Sequence, residues 1–192
     1  SSGKGFSEED PPNFCFDSKT YSFYSGTKAL SEKLIVQNFP DAYIWRLRIP
    51  FDQYNNPRNY LTKLLSYSKL LDATNSISHK GDFVAACLRM CDSELPAPNG
   101  IYNVCNPGPV TTRQVTDLLS KRFNKEFNFF KDEEEFMSTV ATYRSNCTLD
   151  TTKLMRYLDT ARYSSDKLTR FESVTMRPAI EAVEASIKYW EE

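Results

Sequence analysis

The sequence predicts an α/β fold in which strands alternate with helices around a mostly parallel sheet. Runs rich in β-branched and aromatic residues, AYIWRLRIPF (42–51) and IYNVCN (101–106), are typical of buried strands. Segments with apolar residues at helical spacing, such as 21–39 and 110–123, flank them.

The elements of the first half are predicted from breakers and apolar stripes. The Pro11–Pro12 pair predicts a loop, and a helix is expected from Tyr21 to Phe39, where Pro40 ends it. Its apolar stripe consists of Ala29, Leu30, Leu34 and Ile35. A second helix is expected near Pro57, with Leu61, Leu64 and Leu65 facing inward.

The next segments predict one or two short strands in LLDATNSISH (70–79) and then a helix with Asp82 as its N-cap. After the strand at 101–106, Thr111 or Thr112 is expected to cap a helix. The segment FNFFKDEEEF (127–136) is expected to run from a strand into a helix. Two further helices are predicted, one after the turn in RSNCTLDTTKLMRYL and a last one with Pro178 in its first turn.

Composition narrows the range of functions that the sequence could have. A formal net charge of -1 with 26% charged residues gives no reason to expect nucleic-acid or membrane partners. No apolar run is long enough to span a bilayer. The five cysteines are scattered, and Cys87 and Cys91 lack a second Cys or His pair, so no metal site is expected. Reduced buried thiols in a cytoplasmic protein are the prediction.

The stretch YSGTK suggests a catalytic pair. Tyr24 and Lys28 stand four residues apart in a predicted helix and therefore project from one face. A free tyrosine has a pKa of about 10, and a neighbouring ammonium stabilises a phenolate. Such a pair can act as a general acid for a carbonyl that is being reduced. An ordinary packed helix remains the alternative, because this spacing also arises by chance.

The order of segments resembles the extended short-chain dehydrogenase/reductases, the family of nucleotide-sugar epimerases, dehydratases and reductases. The resemblance runs through the acidic loop GFSEEDPPNF, YSGTK, RLRIPF, NPRNYLTKLL and SISHKGDFVAACL to MRPAIEAVEASIKYW. NPRN, NPGPVTT and RSNCTLDTTK are most similar to the branch of 3,5-epimerase/4-reductases that make UDP-rhamnose.

The resemblance implies a fold, site residues and a cofactor, NADP or NAD. The fold would be the C-terminal portion of a Rossmann-like, doubly wound parallel sheet plus a small substrate-binding α/β subdomain. Tyr24 and Lys28 would be catalytic and would also contact the cofactor, together with the turn that follows the strand, Ile49, Pro50 and Phe51. A nucleotide-diphosphate sugar would be bound by Arg58, Asn59, Tyr60 and Arg144. A homodimer is left open.

One departure from the family pattern concerns the cofactor cradle. Neither G-x-G-x-x-G nor G-x-x-x-x-G-K-[ST] occurs in the sequence. We therefore expect the chain to be the C-terminal portion of such an enzyme, with 1–50 a remnant of the NAD(P)-binding domain and 51–192 mostly substrate-binding. On this interpretation the chain alone binds NAD(P) poorly and has an unprotected sheet edge.

Other functions remain open at this point. A 4,6-dehydratase or 4-epimerase would keep the same pair, and a non-catalytic regulatory subunit, such as the family member that binds methionine adenosyltransferase, would keep the fold. His79, the only histidine, is expected to be structural, and Cys15 to be a packed thiol rather than an acid/base group. The aromatic residues Phe127, Phe129 and Phe130 are expected in the core, and 131–135 at a solvated helix start.

Overall fold

The computed structural model describes residues 5–11, 23–93, 95–140, 146–163 and 174–191. In these ranges the helices are α1 (Phe23–Asn38), α2 (Tyr60–Ser66), α3 (Lys80–Met90), α4 (Thr112–Phe123), α5 (Glu133–Met137), α6 (Thr152–Tyr163) and α7 (Ala179–Lys188). The strands are β1 (Tyr43–Arg46), β2 (Pro50–Phe51), β3 (Thr74–Asn75), β4 (Ser78–His79), β5 (Gly100–Asn103) and β6 (Val110–Thr111).

The strands pair in a largely parallel arrangement. β1 lies parallel to β5, with Tyr43 opposite Gly100 and Arg46 opposite Asn103. β2 lies parallel to β4, and β3 pairs with β6 in the antiparallel sense. Helices separate these strands along the chain, so the predicted α/β class is confirmed. β1 and β5 lie on opposite sides of the predicted domain boundary at residue 50 and pair with each other. The domain boundary itself stays a prediction.

The strand predicted over 42–51 is divided into β1 and β2. The division falls at 47–49, where Ile49 has a φ of 43°. A β-branched residue rarely adopts this left-handed backbone conformation. The turn moves the chain from its pairing with β5 to its pairing with β4, which a pattern of consecutive apolar residues does not reveal.

The predicted cap of α3 is wrong. The N-cap is His79, whose Nδ1 accepts the backbone N–H of Asp82 at 3.2 Å. Asp82 lies in the first turn, and its carboxylate binds Arg177 and Asn106 instead. A histidine ring can replace a carboxylate as acceptor here because Asp82 has stronger partners elsewhere in the fold.

The predicted cap of α4 is confirmed at Thr111. Its hydroxyl accepts the N–H of Gln114 at 3.1 Å, and the Gln114 side chain accepts the N–H of Thr111 at 2.8 Å. This reciprocal pair is a capping box. Pro178 immediately precedes α7 as its N-cap, one residue before the predicted position.

Two apolar clusters form the core of the described residues. The first joins α2, α4 and α7 to the short strands, and the predicted core residues Phe127 and Phe129 pack against it. Phe130 makes an edge-to-face contact with Phe136, at 5.4 Å between ring centroids. The second cluster joins α3, β5 and α6. Its fully or almost fully buried members are Ala86, Cys87, Met90, Ala97, Tyr102, Val104, Leu154, Leu158 and Met176.

α1 differs from the other long helices because little of it is buried. Gly26 is its only buried residue. The predicted stripe is only partly covered: Leu34 is 49% exposed, and Leu30 and Ile35 are each 37% exposed. Apolar burial therefore does little to fix the rotation of α1 about its own axis.

The cysteines follow the prediction in part. Cys87 and Cys105 are buried free thiols, and burial raises their pKa values to about 12 and about 11. Cys147 is half-buried, whereas Cys91 is exposed, contrary to the expectation of buried thiols. Cys15 lies outside the described residues. No helix formed by the described residues is long and apolar enough to cross a bilayer.

Candidate functional site

The tyrosine–lysine pair lies near the N-terminus of α1. The ammonium nitrogen of Lys28 is 5.5 Å from the centroid of the Tyr24 ring, so the two side chains share one face of the helix. Tyr24 is 69% exposed and Lys28 is also exposed, whereas Gly26 between them is buried. A ligand can therefore reach the phenol and the ammonium from the same side.

Glu32 extends this face by one turn and ties it to the sheet. It follows Lys28 by four residues, and its two carboxylate oxygens accept hydrogen bonds from Arg46 Nε at 3.0 Å and Nη2 at 2.5 Å. The bond to Glu32 raises the pKa of the Arg46 guanidinium. The two side chains are about a quarter exposed, 24% for Arg46 and 23% for Glu32. This two-pronged pair determines which face of α1 turns toward β1.

The geometry places the Tyr24–Lys28 pair near the carboxyl end of β1. Glu32 lies about 9 Å before the end of its helix, and Arg46 lies about 10 Å after the start of its strand. Because these side chains meet and only residues 39–42 connect the elements, α1 and β1 run in opposite directions. Tyr24 and Ile49 then lie on the same side of the ion pair. Open α/β sheets bind ligands at the carboxyl ends of their strands.

The buried Ser78 joins the strand ends at this side. Its hydroxyl accepts the N–H of Arg48 at 3.1 Å and donates to the carbonyl of Val104 at 3.0 Å. The Arg48 guanidinium donates to Asn75 Oδ1 at 2.9 Å, and the same oxygen accepts the N–H of Cys147 at 3.0 Å. Arg48 is thus held in place as a positive charge just beyond β1.

The predicted cofactor turn has three different environments. Ile49 is half-buried against the first core cluster, and Pro50 is exposed. Phe51 is fully buried, with its ring edge-to-face on His79 at 5.5 Å between centroids. Phe51 therefore presents no accessible surface to a cofactor, and the cofactor role of the whole turn stays a prediction.

The predicted substrate residues also differ in exposure. Arg58 is exposed, and its side chain makes no hydrogen bond or ion pair with the described residues. Asn59 is fully buried and caps α2. Tyr60 packs against the first core cluster, and burial raises its pKa to about 12, opposed by a hydrogen bond with Thr112. Of these three, Arg58 alone presents a free polar head to a ligand; Arg144 lies outside the described residues.

His79 belongs to a polar cluster that joins α3 to the segment before α7. Arg177 donates to Asp82 Oδ1 at 2.7 Å, and Asn106 Nδ2 donates to Asp82 Oδ2 at 2.8 Å. Burial alone would raise the pKa of Asp82, but its contacts with His79, Arg177 and Asn106 lower it to about 2. The histidine is structural, as expected. Within the described ranges, no group of His, Cys, Asp or Glu is arranged to hold a metal ion.

A groove of about 720 Å³ lies along the outer edge of β5. Side chains occupy this edge: Glu8 accepts the N–H of Asn103 at 2.8 Å, and Lys153 Nζ donates to the carbonyl of Ile101 at 2.8 Å. Of the predicted site residues that the structure describes, none lines the groove. Its described lining includes Ser7, Glu8, Pro98, Tyr102, Asp150, Thr152, Lys153, Arg156, Tyr157 and Thr160.

Three residues of the candidate site, Glu32, Arg46 and Arg48, were not predicted from the sequence. For Glu32 a local signal exists, because it stands four residues after Lys28. The two arginines lie in RLRIPF, which the resemblance assigned to the cofactor turn without giving either guanidinium a role. Their partners, Glu32 and Asn75, are 14 and 27 residues away in sequence, beyond the reach of a spacing rule.

The relatives of the chain are nucleotide-sugar enzymes. No family model matches it. A bifunctional dTDP-4-dehydrorhamnose 3,5-epimerase/dTDP-4-dehydrorhamnose reductase of Arabidopsis thaliana is 38% identical over 156 residues, 80% of this chain and 48% of that protein. A trifunctional UDP-glucose 4,6-dehydratase/UDP-4-keto-6-deoxy-D-glucose 3,5-epimerase/UDP-4-keto-L-rhamnose-reductase of the same plant is 36% identical over 158 residues, 81% of this chain and 22% of that protein. The chain thus spans about half the length of the first relative and less of the second.

Solved structures share the fold. The UDP-rhamnose synthase of Acanthamoeba polyphaga mimivirus has a TM-score of 0.76 at 24% identity, over 97% of this chain and 57% of that one. A dTDP-4-dehydrorhamnose reductase of Bacillus anthracis in complex with NADP has a TM-score of 0.62 at 14% identity, over 97% and 59%. A UDP-glucuronic acid 4-epimerase of Bacillus cereus in complex with NAD has a TM-score of 0.61 at 13% identity, over 96% and 54%. The chain is therefore homologous to part of the reductases and epimerases of rhamnose synthesis, and it has the Rossmann-like fold of the short-chain dehydrogenase/reductases that its sequence resembles.

Proposed function

We propose that the protein is an NAD(P)-dependent nucleotide-sugar reductase/epimerase that reduces a 4-keto-6-deoxy sugar in a rhamnose-type pathway. The observation that carries the proposal is the exposed pair Tyr24 and Lys28 on one face of α1. The pair stands near the carboxyl end of β1 in a chain 38% identical to an epimerase/reductase. Position and homology thus support the same chemistry.

Tyr24 and Lys28 have different roles in the proposed acid–base chemistry. The Tyr24 hydroxyl gives its proton to the sugar oxygen as the carbonyl becomes an alcohol. The Lys28 ammonium stabilises the phenolate that remains, and its other N–H groups are suited to the hydroxyls of a cofactor ribose. A bound nicotinamide cofactor supplies the hydride.

The described residues fit the nicotinamide end of NADP or NAD. The exposed pair on α1 and the exposed Pro50 lie on the same side of the Glu32–Arg46 tie. Arg58 is the residue best suited to the substrate diphosphate, because its guanidinium is exposed and matches phosphate geometry. Asn59 and Tyr60 would act through the turn that holds Arg58, and a role for Arg144 rests on the sequence resemblance.

The test uses the complete polypeptide that contains this sequence. UDP- and dTDP-4-keto-6-deoxyglucose are each incubated with NADH or NADPH, and products are identified by mass spectrometry. We expect a reduced 6-deoxy sugar from at least one combination. Tyr24→Phe should lower turnover at least about 100-fold while cofactor affinity stays close to wild type. The matched control is Tyr189→Phe, because Tyr189 is also exposed (64%) but stands at the far end of the chain. Full turnover by Tyr24→Phe contradicts the proposal.

A further inference from the structure

We propose that Arg46 is a positioning residue that keeps the Tyr24–Lys28 pair together by occupying Glu32. The inference rests on the proposed function, since it concerns the same pair. Arg46 acts through Glu32 and touches neither Tyr24 nor Lys28 in any contact that the structure gives.

Lys28 stands between two competing partners. Tyr24 is four residues before it and Glu32 four residues after it, so all three share one face at steps of about 6 Å along the helix. A carboxylate attracts an ammonium more strongly than a phenol ring does. Left alone, Glu32 would therefore be expected to draw Lys28 away from Tyr24.

In the structure, Lys28 lies beside Tyr24 and not beside Glu32. Lys28 Nζ lies over the Tyr24 ring, and the ion pairs of the described residues include none between Lys28 and Glu32. Both carboxylate oxygens of Glu32 are bound by Arg46. A guanidinium fork matches a carboxylate in this two-bond geometry, so the remaining attraction for Lys28 is weak.

Arg46 can control the helix because it is the better anchored partner. It ends β1, where it lies opposite Asn103 of β5 in a parallel pair. α1, in contrast, fully buries only Gly26 and leaves its apolar stripe partly exposed. The sheet therefore sets the position of Arg46, and Glu32 follows it.

This reasoning predicts a rescue. Arg46→Met frees Glu32 to capture Lys28, and we expect turnover to fall between about 10- and 100-fold, the usual effect of a displaced catalytic group. The KM for the cofactor should rise as well, because Lys28 also serves the ribose. Adding Glu32→Gln to Arg46→Met removes the competing charge, and turnover should recover at least about threefold over Arg46→Met alone.

A mere tether between helix and strand predicts no recovery, because the double variant lacks both halves of the ion pair. Turnover of Glu32→Gln/Arg46→Met at or below that of Arg46→Met therefore overturns the inference. A crystal structure of Arg46→Met supplies a readout besides activity. It should show Lys28 Nζ within 4 Å of the Glu32 carboxylate, and a Lys28 still over Tyr24 also overturns the inference.

Two further measurements distinguish a failure of this inference from a failure of the proposed function. The same treatment of a second, more exposed ion pair, Lys69→Met and Glu135→Gln, should change neither turnover nor KM. Tyr24→Phe is assayed alongside: if it keeps full turnover, the proposed function fails. If Tyr24→Phe is inactive and the double variant shows no rescue, only the role of Arg46 fails.

Discussion

The Asn59 side chain holds together the turn before α2, and we expect Asn59→Ala to cost about 3 kcal/mol of the free energy of unfolding. Asn59 is 0% exposed. Its Nδ2 donates to the Asp52 carbonyl at 2.9 Å, to Asp52 Oδ1 at 2.9 Å and to the Tyr54 carbonyl at 2.7 Å, while its Oδ1 accepts the N–H of Leu61 at 3.1 Å. Loss of the cap costs about 1 kcal/mol. The acceptors left without this donor add about 2 kcal/mol.

The assay is urea unfolding followed by circular dichroism, with Asn56→Ala as the matched control. Asn56 is exposed, and its side chain accepts one bond, from the N–H of Arg58 at 2.9 Å. The control should therefore change stability by less than about 0.5 kcal/mol. A loss below about 1 kcal/mol for Asn59→Ala would refute the reasoning. The result also bears on the predicted substrate role, because a large loss shows that Asn59 affects activity through the fold.

Two further predictions concern acid stability and backbone strain. The pKa of Asp82 lies near 2 in the folded protein against an ordinary value of 3.8, so the folded state favours its charged form. This contributes about 2 kcal/mol, present above pH 4 and lost as the pH falls toward 2; urea midpoints between pH 2 and 5 should decline less steeply for Asp82→Asn. At Ile49, φ of 43° suits glycine better than alanine. Ile49→Gly should therefore be about 1 kcal/mol more stable than Ile49→Ala in urea, and the usual order, alanine above glycine, would contradict the strain.

The local features of the fold could be predicted from sequence because their causes are local. The Thr111 cap and its partner Gln114 stand three residues apart, and both halves of the capping box can be read from the printed sequence. The same holds for Tyr24 and Lys28, whose spacing places them on one face. The sequence predicted Pro178 to within one residue of its observed position, because proline lacks a backbone N–H and is tolerated only at the start of a helix.

The failures occur where a distant residue changes the local choice. Asp82 is a good N-cap by propensity, yet Arg177, 95 residues later, engages its carboxylate, and His79 takes over the cap. The turn at Ile49 depends on which strand the chain pairs with next, and no apolar pattern records that. Asn59 is buried and holds the turn before α2, so its assignment to substrate stays a prediction.

The face of α1 that carries Tyr24 and Lys28 shows why spacing alone is insufficient. The rule that pairs Tyr24 with Lys28 pairs Lys28 equally well with Glu32, and only one of these pairs suits proton transfer. The structure resolves the ambiguity through Arg46, which stands 14 residues after Glu32 on the next strand. The proposed role of Arg46 therefore predicts that a Y-x-x-x-K segment followed by an acid at the next turn keeps its lysine beside the tyrosine when a basic residue ends the following strand. Without such a residue, the proposal predicts a lysine–carboxylate pair on the helix surface.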